Sequence, residues 1–204
     1  VLILGSFMLD AINYAMNAQY FVAMREDLNV IFAEPSSTQA IHAVNRLPGV
    51  RLAEPFRGVS THLRNGVLSR RIEVLGLSSD AELHRLMDID SHRVPLPAEG
   101  IVLSRKLGEV LDVQVGDMLR MEVLEGQRKQ IVVPVVGLIR DFSGTAAYMN
   151  RKSLNRILRE GDIVSGAFLA ADPGMMDELY ASLKNAPHVA SVTVKAAAIL
   201  SFRE

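Results

Sequence analysis

Residues 29 to 56 read NVIFAEPSSTQAIHAVNRLPGVRLAEPF, and this stretch restricts the fold more than any other. An apolar run (Val30, Ile31, Phe32) stops at Pro35, and Ile41, Val44 and Leu47 then recur at helical spacing. Ser36 or Ser37 is placed to cap the first turn through its hydroxyl. Pro48-Gly49 ends the helix, because proline has no N–H to continue it and glycine accepts a left-handed exit. Val50, Leu52 and Ala53 open a second strand and complete a βαβ unit. Ser165 to Val194 repeats the pattern. Phe168 and Leu169 fill a strand, Asp172-Pro173 starts a helix, and Met176, Leu179, Tyr180 and Leu183 form its apolar stripe. Pro187 then closes it before Val189, Val192 and Val194. The paired prolines stand thirteen residues apart in the first copy and fourteen in the second. Two such units with right-handed crossovers fold most simply into one four-stranded sheet with both helices on one face, a ferredoxin-like α+β layer. About a hundred residues separate the copies, so an insertion between them is expected.

Of the 204 residues 49% are hydrophobic, enough for one large or two small cores. The net charge is −1 and the basic residues form no stripe, which argues against a nucleic-acid surface. Without cysteine there is neither a disulfide framework nor a thiolate metal site. The two ends read as those of a piece cut from a longer polypeptide.

Residues 1 to 24 contain no proline and place Leu4, Phe7, Ala11, Tyr14, Ala18 and Phe21 at alternating spacings of three and four, the period of a coiled-coil seam. A helix is expected there, either the end of a transmembrane segment continuing as a stalk or an amphipathic helix packed on the domain. Its apolar run is shorter than the roughly 20 residues a full span needs. Asn65-Gly66 predicts a tight hairpin, and Ser79 to Met87 a short helix with Leu83 and Leu86 inward. Val94-Pro95-Leu96-Pro97 reads as an extended connector. Ser104 is placed to cap a helix carrying Leu107, Val110 and Leu111. Gly116-Asp117 turns into a strand with Leu119, Met121 and Val123 on one face, and Ile131 to Ile139 forms another, interrupted by Pro134. Asn150 is placed to cap a helix through Leu154, Ile157 and Leu158. The insertion therefore reads as a small β-rich lobe.

Chemistry is sparse. No phosphate-binding loop occurs, so the chain is expected neither to bind nor to hydrolyse nucleotide. His42, His62, His84, His92 and His188 are scattered; only His84 and His92 with Asp88 and Asp90 form a metal candidate, at a spacing that matches no established ligand pattern. Ser104 lacks the G-x-S-x-G context of a nucleophile. Arg70-Arg71 and Arg151-Lys152 read as solvated pairs, and Met118, Met121, Met175 and Met176 as core filler. No catalytic, cofactor-binding or metal residue is assigned, and no cofactor is expected.

Two ordered sets of residues resemble a known family. The first is Leu47-Pro48-Gly49-Val50, Glu54-Pro55-Phe56-Arg57 and Gly76-Leu77; the second runs Gly100-Ile101-Val102-Leu103-Ser104-Arg105-Lys106-Leu107, Val115-Gly116-Asp117 and Val135-Val136-Gly137-Leu138. Together the chain resembles the extracytoplasmic, MacB-like periplasmic core domain of FtsX-like ABC transporter permeases, with Gly108 standing where the family usually has alanine. The resemblance implies a porter lobe of two βαβ units (25–77 and 146–204) interrupted by a β-rich Sabre-like lobe (78–145). Residues 1 to 24 would then be the end of the first transmembrane helix and its stalk. The connectors around 75–79 and 140–144 hold Gly76, Ser143 and Gly144 between apolar blocks and are expected to act as hinges. It also implies a bacterial inner-membrane permease with this domain outside the cytoplasm. The implied partners are a cytoplasmic ABC ATPase, the membrane, an exported partner protein or lipoprotein, and a second copy in a dimer.

Three functions follow as expectations: a non-enzymatic domain that transmits ATP-driven movement during export or extraction of a lipoprotein, lipid or small molecule; an interaction scaffold regulating a partner such as a cell-wall hydrolase; and a soluble small-molecule-binding regulator. The seam Leu4, Phe7, Ala11, Tyr14, Ala18 and Phe21 is the expected packing surface for the stalk.

Overall fold

The computed structural model describes residues 24–89, 92–140 and 144–195. In chain order they form β1 (Leu28–Ser37), α1 (Gln39–Asn45), β2 (Val50–Asn65), β3 (Leu68–Leu77), β4 (Ile101–Ser104) and α2 (Arg105–Leu111). Then follow β5 (Met118–Val123), β6 (Gln130–Ile139), β7 (Ala147–Asn150), α3 (Arg151–Leu158) and β8 (Ile163–Ala171). A 3-10 turn (Pro173–Met175), α4 (Met176–Lys184) and β9 (Val189–Val194) complete it. The expected stalk, with Leu4, Phe7, Ala11, Tyr14, Ala18 and Phe21, lies outside the described residues.

The first half of the sheet has the order β2-β8-β1-β9, every neighbour antiparallel. Strands β1 and β2, joined by α1, therefore run parallel with β8 between them. Strands β8 and β9, joined by α4, run parallel with β1 between them. Leu28, Val30 and Phe32 alternate onto the same face as Ala167, Leu169 and Ala171, and are covered by Ile41 and Val44 of α1 and by Leu179 and Leu183 of α4. One detail differs from the sequence reading: β1 runs on through Ser37, so neither Ser36 nor Ser37 caps α1. Thr38 takes that place, and its hydroxyl donates to the Asp162 carbonyl at 2.9 Å instead of capping the helix. Pro35 is tolerated inside β1 because the register slips between Ile31 and Ser36, leaving no ladder bond for it to break. Gly49 takes the left-handed exit (φ +85°), and a Cβ there would lie 2.8 Å from that of Met175.

The second half closes on itself. Strand β2 continues past Arg57 between β3 and β5, and the order β3-β7-β4-β6-β5-β2 returns to β3. Closure into a barrel leaves no long exposed edge. Val59, Leu63, Val74, Ile101, Leu103, Met121, Val135 and Met149 fill its core together with Leu107, Leu111, Leu154 and Leu158 from α2 and α3. The caps act as expected: Ser104 accepts from the Leu107 N–H, and Asn150 from those of Lys152 and Ser153. Gly66 turns the β2–β3 hairpin, where Asn65 Nδ2 donates to the carbonyls of Leu111 and Asp112, both at 3.0 Å. Gly108 is buried against Leu138, whose flexible Cδ2 lies 2.9 Å from an added Cβ, so alanine fits after a small side-chain shift.

Three local expectations are corrected. Ser79 to Met87 is not a helix but part of an irregular strap. Leu83, Leu86 and Leu96 are buried across the sheet, and the N–H groups of Glu82 and Leu83 are satisfied by the Glu54 carboxylate at 2.7 and 2.9 Å. Arg151 is 5% exposed rather than solvated, because it opens α3 beneath the barrel and pairs with Asp162. Met118 is 57% exposed, while Met121 lies in the core. The barrel also recruits β3 and β7, which flank the stretch 78–145, through parallel pairing of Val74–Leu77 with Ala147–Asn150. Among the described residues no helix is long and apolar enough to cross a membrane.

Candidate functional site at the crossing between the two halves

The chain passes between the halves twice: at Phe56-Arg57 in the middle of β2, and through Arg159–Asp162 between α3 and β8. One side chain fastens the two passages together. Arg57 is 1% exposed and occupies an inward position of β2, in phase with the buried Val59, Thr61 and Leu63. Its Nε and Nη2 donate to the two oxygens of Glu160 at 3.2 and 3.1 Å. Nη2 also donates to Glu125 in the β5–β6 turn. Nη1 donates to the Gly58 carbonyl at 2.7 Å and to Ser165 Oγ at 3.0 Å. Burial alone favours the neutral guanidine, but the hydrogen bonds to Glu160 and Glu125 outweigh it and hold the pKa above its ordinary value. Arg151–Asp162 adds a second ion pair on the same link.

Beside Arg57, Glu73 lies over Gly58: a Cβ on Gly58 would fall 1.8 Å from Glu73 Oε1. Partial loss of surrounding water pushes the Glu73 carboxyl above the usual carboxylate range, the Glu125 charge raises it further, and Arg57 partly offsets both. A raised folded pKa means that the folded state holds the proton more tightly than the unfolded chain. Its contribution to stability therefore falls as pH rises from the ordinary glutamate value through the folded one. Glu73→Gln is expected to be more stable than the wild type at pH 7, with the difference closing at a pH below the ordinary glutamate value. Thermal melts across that range check the sign.

On the other face of the crossing, the Phe168 ring stacks on Phe56 (4.6 Å between centroids) and on His84 of the strap (4.4 Å). His84 Nδ1 is in turn 3.0 Å from Glu26 Oε1. These rings line a cleft of about 370 Å³ together with Asn29 and Ile31 of β1, Ile72, Glu73 and Leu75 of β3 and residues 145–148 at the start of β7. The cleft opens between the halves.

The metal candidate disperses. His84 serves the aromatic stack, Asp88 Oδ1 accepts from the N–H groups of Ile89 and Arg140, and Asp90 lies outside the described residues. Among the described residues no group of three acidic or histidine side chains could hold a metal ion. The crossing itself was missed as a site, although Glu54-Pro55-Phe56-Arg57 stood out in the sequence. Its readable signal was the period-two run Arg57, Val59, Thr61, Leu63, a charge in phase with a buried face. Pro55 fits because its segment of β2 pairs only with β8 and leaves the other edge free.

No protein-family model and no curated protein sequence matches the chain. Solved structures do match. The extracellular domain of the noncanonic ABC-type transporter YknZ from Gram-positive bacteria superposes with a TM-score of 0.52 at 14% identity, covering 83% of this chain and 98% of that one. The periplasmic region of MacB from Actinobacillus actinomycetemcomitans gives 0.54 at 11% identity, covering 94% and 98%. The chain has the fold of the extracytoplasmic domains of MacB-like ABC transporter permeases.

Proposed function

We propose that this chain is the extracytoplasmic domain of an FtsX-like ABC transporter permease in a bacterial inner membrane, and that it transmits movement instead of catalysing a reaction. On this reading the four-stranded half is a ferredoxin-like porter lobe, the barrel a Sabre-like lobe, and residues 1–24 a transmembrane end and stalk. A cytoplasmic ABC ATPase drives them, and the cargo is a lipoprotein, a lipid or a small molecule. The observation that carries the reading is a fold shared, over nearly the whole chain, with the corresponding domains of two transporters. The crossing supports it. Two covalent links fastened by Arg57, with Phe56 and Phe168 of the first half packed against Val102, Ile139 and Tyr148 of the barrel, let the halves pass displacement to each other while keeping a defined rest position.

The test uses the intact transporter with its ATPase. Spin labels at Arg46→Cys on the first half and Arg70→Cys on the barrel, both exposed positions, report the distance between the halves. A distance distribution that shifts between the ATP-bound and nucleotide-free states is expected. An unchanged distribution in a transporter that still turns over ATP overturns the reading. The inter-half cleft favours one second reading, a small-molecule-binding regulator, for which the same distance would respond to a ligand and ignore ATP.

A further inference from the structure

Among the described residues three that are not glycine have positive φ: Asp112 (49°), Arg128 (47°) and Arg159 (54°). Asp112 ends α2 as a left-handed cap, and its carbonyl receives the Asn65 amide. The other two are arginines, and both border one cavity of about 220 Å³ beside the crossing. The left-handed backbone has a local reason at each, Arg159 as the cap that ends α3 and Arg128 at the close of the β5–β6 turn, and it sets both residues beside the same cavity.

Cationic side chains outnumber acidic ones in the cavity wall. No guanidinium contact is found for Arg128 or Arg159 among the described residues; what fixes both is their backbone, through N–H bonds to the carbonyls of Glu125 and Arg156. Lys129 lines the same cavity and donates to the Leu158 carbonyl at 2.6 Å, which leaves its ammonium with further protons to give. Glu125 and Glu160 are also in the wall, but both carboxylates are held by the buried Arg57. Three cationic groups line the cavity and Arg57 lies behind it, four against the carboxylates of Glu125, Glu160 and the neighbouring Glu73, so the excess charge is positive.

We propose that this cavity binds a phosphate-like oxyanion between Arg128 and Arg159, with Lys129 as a third donor. Planar guanidinium forks suit a tetrahedral oxyanion, each giving paired charge-assisted hydrogen bonds. The cavity has room for the phosphate and a short substituent, whether a soluble phosphomonoester or the headgroup of a phospholipid. Because Glu125 and Glu160 also hold Arg57, an occupant here touches the fastening of the two halves.

The variants Arg128→Gly and Arg159→Gly remove the cations and also relieve the left-handed backbone, so they are expected to fold at least as well as the wild type. Calorimetric titration of the 204-residue chain with inorganic phosphate at constant ionic strength should show saturable binding that chloride does not reproduce. Each glycine variant should weaken it about tenfold or more, the equivalent of roughly 1.4 kcal/mol. Co-sedimentation with phosphatidylglycerol–phosphatidylcholine vesicles, set against phosphatidylcholine alone, separates the sources. Vesicle binding that the glycine variants lose supports a headgroup, and phosphate binding without it supports a soluble anion. Wild-type behaviour in the double glycine variant, or a wild type that takes up neither phosphate nor vesicles, overturns the proposal.

Discussion

Arg57→Ala is expected to lower the unfolding free energy by about 3 kcal/mol, the lower end of what breaking a buried ion pair costs. The residue itself is 1% exposed, but its partners retain water: the side chains of Glu125 and Glu160 are 36% and 32% exposed. Alanine leaves those carboxylates close together without a counter-charge, and it strips Ser165 Oγ and the Gly58 carbonyl of a donor. Arg57→Lys should recover only part of the loss, since an ammonium cannot serve both oxygens of Glu160 and reach Glu125 from one planar fork. Urea denaturation of the three proteins measures this directly. A loss below about 1 kcal/mol for Arg57→Ala would mean that the network behaves as a surface ion pair and does not fasten the passages. Arg57→Met separates charge from packing: if methionine restores stability, the crossing needs a filled volume more than a cation.

The parts of this fold that were legible in the sequence are those specified by neighbours along the chain. The strand–helix–strand units show through because Leu179 and Leu183, like Ile41 and Val44, repeat at the helical period between proline stops. Ser104 and Asn150 cap their helices by bonds that reach no further than three residues. The barrel did not show, because its closure rests on β3 meeting β7, and nothing near Val74 announces Ala147 as its partner. The strap misled for a related reason. Leu83 and Leu86 have helical spacing, but their burial comes from lying across a sheet, with Glu54 taking the N–H groups of Glu82 and Leu83. Arg57 sits between these cases. Its alternation with Val59 and Leu63 is visible locally, while the three acceptor side chains that make its burial possible, on Glu125, Glu160 and Ser165, come from remote segments.

The larger effect is expected at Phe168. Its ring is 4% exposed and packs between Phe56 and His84, so it joins the centre of the first half to the strap. Phe168→Ala removes a whole buried ring from between two others that are fixed by their own strands and hydrogen bonds. The site can collapse only partly, which places the cost at about 3–5 kcal/mol. Phe168→Leu keeps most of the volume and should lose markedly less. The loss should also be localised. Amide exchange is expected to speed up in residues 78–89 of the strap, where His84 loses the face it stacks on, while the barrel core around Leu103 and Met121 keeps its protection. Hydrogen-exchange mass spectrometry on the alanine variant reads both regions at once. Uniform acceleration through strap and barrel would show that the two halves unfold as one unit, and the stack would then have no separate role in holding the strap across the crossing.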